Sequence, residues 1–240
     1  MKIVMIRHGD PDYVNDSLTP KGRREALALA NYLKNKQVTK FYCSPLGRAK
    51  DTAAPTLSAT GRKAQVLDWL MEFPGYIIDE ETGKKRIPWD LIPSEWTMEP
   101  KLYDKDNWLQ ADIMKTGDVR EVYDYVCREL DGFLEDYGYV RDGACYKVIR
   151  PNHDTVVFFC HFGIQCVLLS HLLGISPVVL WQGTVCSPTG ITVLATEERE
   201  EGTAYFRCNR FGELAHLYID GQEPSFAARF RETRDDDDRF

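Results

Sequence analysis

Two apolar runs near opposite ends of this sequence stop on a bare histidine, and that repeated ending constrains the fold more than any other feature. Ile3, Val4, Met5 and Ile6 run directly into Arg7-His8-Gly9, and Val156 to Cys160 run into His161-Phe162-Gly163. Short, uninterrupted apolar runs suit inner strands covered on both faces, as in a parallel sheet with helices on either side. Each strand then delivers an imidazole at its carboxyl end, the rim where open α/β sheets bind ligands. Gly9 lets the backbone turn and a ligand approach closely. With Arg7 fixing an anion, a neutral His8 ring nitrogen is placed to act as a nucleophile on a negatively charged electrophile.

The segments between these runs read as crossover helices. Thr19 is positioned as an N-cap with Pro20 at the first helical position, and Ala26, Leu27, Ala30 and Leu33 recur at helical spacing, predicting a helix from about residue 20 to about residue 35. Phe41 to Cys43 form a second strand ending at Ser44-Pro45, where Ser44 is expected to cap a second helix. Strand, helix and strand make a right-handed βαβ unit. Arg48, one turn into that second helix, then faces the same rim as His8; its alternative is a surface pairing with Asp51. His161 stands just ahead of a helix expected over 163–173 and closed by Gly174, where free backbone N–H groups favour an anion. Strand ends thus bring Arg7, His8, Arg48 and His161 to one type of position.

Composition removes several function classes. A net charge of −7 and a pI near 5.3 argue against nucleic-acid binding through extended phosphate neutralisation. The N-terminal apolar run is too short for a secretory signal, and no stretch is long enough to span a bilayer, so a cytoplasmic protein without a membrane partner is expected. The seven cysteines are scattered without a CxxC pair, which predicts neither a disulfide framework nor a thiolate zinc site.

In this order and spacing, Arg7-His8-Gly9, Leu18-Thr19-Pro20-Lys21-Gly22, Ser44-Pro45-Leu46-Gly47-Arg48-Ala49 with Thr52-Ala53, and Cys160-His161-Phe162-Gly163 resemble the histidine phosphatase superfamily, the phosphoglycerate mutase-like proteins. Ser187 to Thr192 resemble its late strand and Glu213 to Leu217 its closing motif. The resemblance covers most of the chain and implies a three-layer α/β/α sandwich around a mostly parallel sheet. It also implies a phosphohistidine formed on His8, a phosphate clamp of Arg7, Arg48 and His161, and no cofactor or metal. Such a clamp suits phosphoryl transfer, which is mostly positioning and charge neutralisation. Phe162 departs from the family pattern, standing where a small residue is common. Family members carry a carboxylic acid after the third strand to protonate the leaving group; Glu72 matches that place best, with Asp10 the alternative.

One domain is expected to span residues 1–240, with an insertion at about 73–117 and a mobile tail at about 231–240. The insertion has little periodicity and carries Trp89, Trp96 and Trp108, which argue against disorder and for a lid over the pocket or, alternatively, a dimer contact. Lys84-Lys85-Arg86 within it read as a solvated charge run, the competing reading being contact with a second acidic group of a substrate. A long helix over 118–137, a hairpin within 141–154 and late strands over 189–195 and 203–208 complete the pattern, which fades after Phe211. The leading expectation is a phosphomonoester hydrolase acting on a small phosphorylated metabolite and releasing inorganic phosphate. The alternatives are mutase-type phosphoryl transfer, a non-catalytic phosphate-binding protein, and a metal hydrolase using His8, Asp10 and Asp12.

Overall fold

In the computed structural model, which describes residues 1–227, the N-terminal strand lies at the centre of an eight-stranded sheet. The expected tail lies outside the described residues. In chain order the sheet strands are β1 (Lys2–Arg7), β2 (Lys40–Cys43), β3 (Ala64–Val66), β4 (Tyr139–Asp142), β5 (Cys145–Val148), β6 (Thr155–Cys160), β7 (Ile191–Glu200) and β8 (Thr203–Glu213). Their spatial order is β3-β2-β6-β1-β7-β8-β5-β4. Strands β3, β2, β6 and β1 are mutually parallel, while β7, β8, β5 and β4 continue the sheet by antiparallel pairing. The six main helices are α1 (Pro20–Leu33), α2 (Gly47–Thr60), α3 (Val119–Asp136), α4 (Phe162–Leu173), α5 (Pro177–Gly183) and α6 (Ala215–Ile219).

The strand period of two divides the core into layers. Ile6, Phe41, Cys43, Val157 and Phe159 pack on one face with Leu29 and Leu33 of α1 and Ala49 and Ala53 of α2. Ile3, Met5, Tyr42, Val156 and Phe158 face the other way, toward α3, α4 and the insertion. This is the expected three-layer α/β/α arrangement. Register then sets the functional rim: Ile6 pairs with Phe159 and Arg7 with Cys160, and Phe159 pairs with Cys43. The ladder runs one residue past the strands, with the His8 N–H on the Cys160 carbonyl (3.0 Å) and the Ser44 N–H on the Phe159 carbonyl (2.9 Å). Residues 8, 44 and 161 therefore leave the sheet at one level.

Thr19 caps α1, its hydroxyl accepting the Gly22 N–H at 3.1 Å. The second helix differs from expectation. It begins at Gly47, with Leu46 rather than Ser44 in the cap position; the Ser44 hydroxyl accepts the Leu46 N–H (3.2 Å) and is also bonded to His161. Gly174 closes α4 in the left-handed region (φ 65°). Strands β4 and β5 form the expected hairpin, but β7 and β8 run well beyond their expected ends, and α6 forms where the sequence pattern had faded. The insertion is ordered by short turns: Ile77–Ile78 pairs with Lys85–Arg86, and a helical turn spans Pro93–Trp96. Among the described residues no helix is long and apolar enough to cross a membrane.

Candidate active site

His8 is buried, and its ring is oriented by its own neighbour. Nδ1 lies 2.7 Å from the Gly9 carbonyl oxygen. A carbonyl only accepts, so Nδ1 carries the proton and Nε2 keeps its lone pair. Burial, with the Arg7 guanidinium adding to it, holds the imidazolium well below the usual histidine range. The neutral, nucleophilic tautomer is therefore the resting form. Gly9 cannot be larger, because a Cβ there would meet the Gly22 carbonyl oxygen at 2.9 Å. Behind the ring, the His8 carbonyl accepts the Thr189 N–H at 3.2 Å. Thr189 adopts φ 58°, an outlier for a β-branched residue, and is held there on both sides of its hydroxyl. That hydroxyl donates to the Pro188 carbonyl (2.7 Å) and accepts from His216 Nε2 (2.9 Å).

The two expected arginines enter the same cavity. Arg7 donates from Nη1 to the Cys186 carbonyl (2.5 Å) and from Nη2 to the Ala227 carbonyl, so its guanidinium is fixed by main chain. Its Nε is buried without a partner, as is that of Arg48. Arg48 does not pair with Asp51. Its Nη1 lies 2.6 Å from Asp16 Oδ1, while Asp16 Oδ2 accepts the Gly47 N–H at 2.6 Å. Asp51 is taken instead by the Ser17 hydroxyl at 2.5 Å. Asp16, which the sequence did not single out, thereby orients Arg48 and caps the start of α2 at once.

His161 lies with its ring centroid 5.1 Å from that of His8, its Nε2 2.7 Å from Ser44 Oγ. Its Nδ1 is buried and unpartnered. Burial, followed by His8 and Arg48, keeps this ring neutral as well. Glu72 lines the cavity beside Arg7 and Arg48. Its Oε1 accepts the N–H of Phe73 (3.1 Å) and of Ile164 at the start of α4 (3.2 Å). Burial raises its carboxyl above the ordinary range, although those N–H groups and the two arginines favour the carboxylate. Asp10 is engaged at the start of α1: its carboxylate accepts the Thr19 hydroxyl (2.6 Å) and its N–H donates to buried Glu25 (2.9 Å). Asp12 likewise accepts from the Asn15 side-chain amide and the Val14 N–H.

The cavity is about 660 Å³, and apart from Arg7, Arg48 and Glu72 its walls include Tyr13, Ile87, Trp89, Phe162, Trp181 and Val185. Trp89 comes from the insertion and stacks obliquely on Trp181 of α5 (5.7 Å), with Phe73 against both. Trp108, by contrast, is core, edge-on to Trp181. Trp181 is anchored by Nε1–H on the Gly163 carbonyl at 3.0 Å. Gly163 must lack a side chain, since a Cβ would stand 2.7 Å from both Glu72 Oε1 and the Trp89 ring. The basic run of the insertion stays outside: Arg86 pairs with Asp79 (3.2 Å) and Glu95 (2.7 Å), and Lys85 Nζ sits 3.5 Å over the Tyr76 ring.

Fold and site together define an α/β protein whose sheet rim carries a cavity lined by two guanidiniums and a carboxyl group, with two neutral imidazoles in the field of the same guanidiniums. Residues 3–87, which contain Arg7, His8, Arg48 and Glu72, match the model of the histidine phosphatase superfamily (branch 1). Over that stretch the chain is similar to that superfamily. It is 22% identical to phosphoserine phosphatase 1 of Hydrogenobacter thermophilus over 93% of this chain and 99% of the relative. Phosphoserine phosphatase of Entamoeba histolytica, solved as a histidine-to-alanine mutant with phosphoserine, matches with a TM-score of 0.59 at 20% identity, over 90% of this chain and 98% of that one. A mycobacterial glucosyl-3-phosphoglycerate phosphatase matches with a TM-score of 0.58 at 21% identity, over 87% and 96%.

Proposed function

We propose that this chain hydrolyses small phosphomonoesters through a phosphohistidine on His8, with Glu72 as the proton donor. The observation that carries the proposal is the Nδ1–H bond of His8 to the Gly9 carbonyl, which leaves a neutral ring with a free Nε2 lone pair in the field of the Arg7 and Arg48 guanidiniums. Nε2 attacks phosphorus and the bond to the ester oxygen breaks, with the Glu72 proton passing to that oxygen as it departs. Arg7 and Arg48 neutralise the phosphoryl oxygens as charge spreads over them, and the neutral His161 ring adds a hydrogen-bond donor from its unpartnered Nδ1. A water molecule then attacks the phosphohistidine, Glu72 takes its proton, and the N–P electron pair returns to Nε2 as phosphate leaves. The named relatives, phosphatases of phosphoserine and of glucosyl-3-phosphoglycerate, agree with a small phosphorylated metabolite as substrate.

The test is phosphate release from a panel of phosphomonoesters, combined with rapid quenching and peptide mass spectrometry. Turnover should be accompanied by an acid-labile phosphate on the peptide containing His8, and His8→Ala should abolish both. Turnover that survives in His8→Ala would overturn the mechanism. Transfer of phosphate to another position of the substrate, rather than to water, would mark a mutase.

A further inference from the structure

Arg7 and Arg48 make up only part of the lining of the cavity of about 660 Å³, and the remaining walls carry a different chemistry. Beyond Arg7 and Arg48, the described lining residues provide no other cation. Ile87, Trp89, Phe162, Trp181 and Val185 make the surface apolar and aromatic. The basic side chains nearest in sequence, Lys85 and Arg86, are engaged on Tyr76, Asp79 and Glu95. Trp89 and Trp181 are held by mutual packing, by Phe73 and by the Gly163 carbonyl, so this wall is preorganised. A polar group does reach it: Gln182 lines the cavity, and its Nε2 is buried with no hydrogen-bond partner. A donor left in that state calls for an acceptor brought by the ligand.

Building on the hydrolase reading above, we infer that the leaving-group side selects an uncharged alcohol bearing a flat, largely apolar ring and a hydrogen-bond acceptor, in preference to the alcohol of an amino acid or sugar acid. A carboxylate on the leaving group would lose its water against indole and phenyl surfaces, would gain no counter-charge from the described lining beyond the two arginines of the clamp, and would face Glu72. An aromatic ring instead gains apolar contact with Trp89, Trp181 and Phe162. The side chain of Phe162, where the family commonly has a small residue, contributes to this wall. The preference is therefore a property of this chain's own sequence rather than of the shared phosphate clamp.

Binding to the full, unmutated chain separates this inference from the reading on which it rests, because phosphonates bind without being cleaved. Calorimetry should compare 3-phenylpropylphosphonate with 2-amino-4-phosphonobutanoate, the uncleavable counterpart of phosphoserine. The aromatic phosphonate should bind roughly ten- to a hundredfold more tightly, from the burial of one aromatic group. Val185→Lys, at an exposed position on the rim, should narrow that ratio by roughly tenfold by adding a cation to this part of the described lining. Equal or tighter binding of the amino-acid phosphonate to the unmutated chain overturns the inference, even if phosphomonoesters are hydrolysed. The expected preference without any hydrolysis would instead uphold the subsite and sink the hydrolase reading.

Discussion

Replacing Glu72 by Gln should separate leaving groups by their need for a proton. The amide keeps an oxygen that can accept the Phe73 and Ile164 N–H groups, so the site geometry is retained while the transferable proton is lost. For an ordinary alkyl phosphate, general acid catalysis of this kind contributes roughly 10²–10⁴-fold, or about 2.7–5.4 kcal/mol. 4-Nitrophenolate leaves without protonation, so kcat/KM for its phosphate should fall by less than about tenfold. The second half-reaction still needs a base, so this variant should release a burst of nitrophenolate and then slow, with phosphohistidine accumulating. The pH profile supplies a second readout. Because burial raises the Glu72 carboxyl, kcat/KM for alkyl esters in the unmutated protein should fall as pH rises through that raised value, and Glu72→Gln should lack that limb. His8 is neutral well below the usual histidine range, so it adds no competing loss there. Asp10→Asn should retain the limb. An equal loss on alkyl and nitrophenyl substrates would refute Glu72 as the acid, and loss of the limb in Asp10→Asn would transfer the role.

Arg48→Ala should weaken vanadate and phosphate binding roughly ten- to a hundredfold, the worth of a charge-assisted clamp, and inhibition constants measured in competition will show whether it does. Gly163→Ala forces its Cβ into Glu72 and Trp89, so kcat on alkyl esters should drop by about tenfold or more while the unfolding midpoint moves little; an unchanged kcat would mean that Glu72 tolerates displacement. His216 is buried, and desolvation lowers its folded value to about 4 from an ordinary 6.5. The unfolded chain binds that proton first, so stability is full above about pH 6.5 and declines as pH falls toward 4, by about 3 kcal/mol in all. His216→Gln should flatten that part of the urea-unfolding profile, and an unaltered slope would remove His216 from the account.

How much of this was legible in the sequence follows from the range over which each feature is determined. The strands ending on His8 and His161, and the Thr19 cap, are set by neighbouring residues, and the structure has them where periodicity put them. Ser44 obeys the local rule for a cap, yet the helix starts later, at Gly47, where Asp16 from a distant loop accepts the first N–H, and the Ser44 hydroxyl is shared between the Leu46 N–H and His161. Asp16 left no signal, since its partner Arg48 is brought to it only by the packing of the first loop against α2. Glu25 was equally silent: a buried carboxylate in α1, it accepts the N–H of Asp10 and of Ser225, and so joins the first turn after β1 to the segment that returns over Arg7. Glu72 could be reached only through the family resemblance, for nothing around residues 69–73 marks a strand-end carboxyl as an acid.

The division between legible and hidden features coincides with a division of labour. Arg7, His8 and His161 sit at or just beyond the ends of hydrogen-bonded strands whose register admits little slippage, because a one-residue shift would exchange buried and outward faces. Glu72, Ile87 and Trp89 lie instead on loops and short turns, where backbone conformation is not fixed by a sheet. The second set gathers on Gly163, whose missing side chain lets Glu72 and Trp89 close on the start of α4 while its carbonyl holds Trp181. Substitutions in the rim should therefore alter transfer to His8 for every ester, whereas substitutions in the wall should reorder the esters among themselves. Because Gly163 touches the proposed acid Glu72 as well as Trp89 and Trp181, a change there should affect rate and preference together.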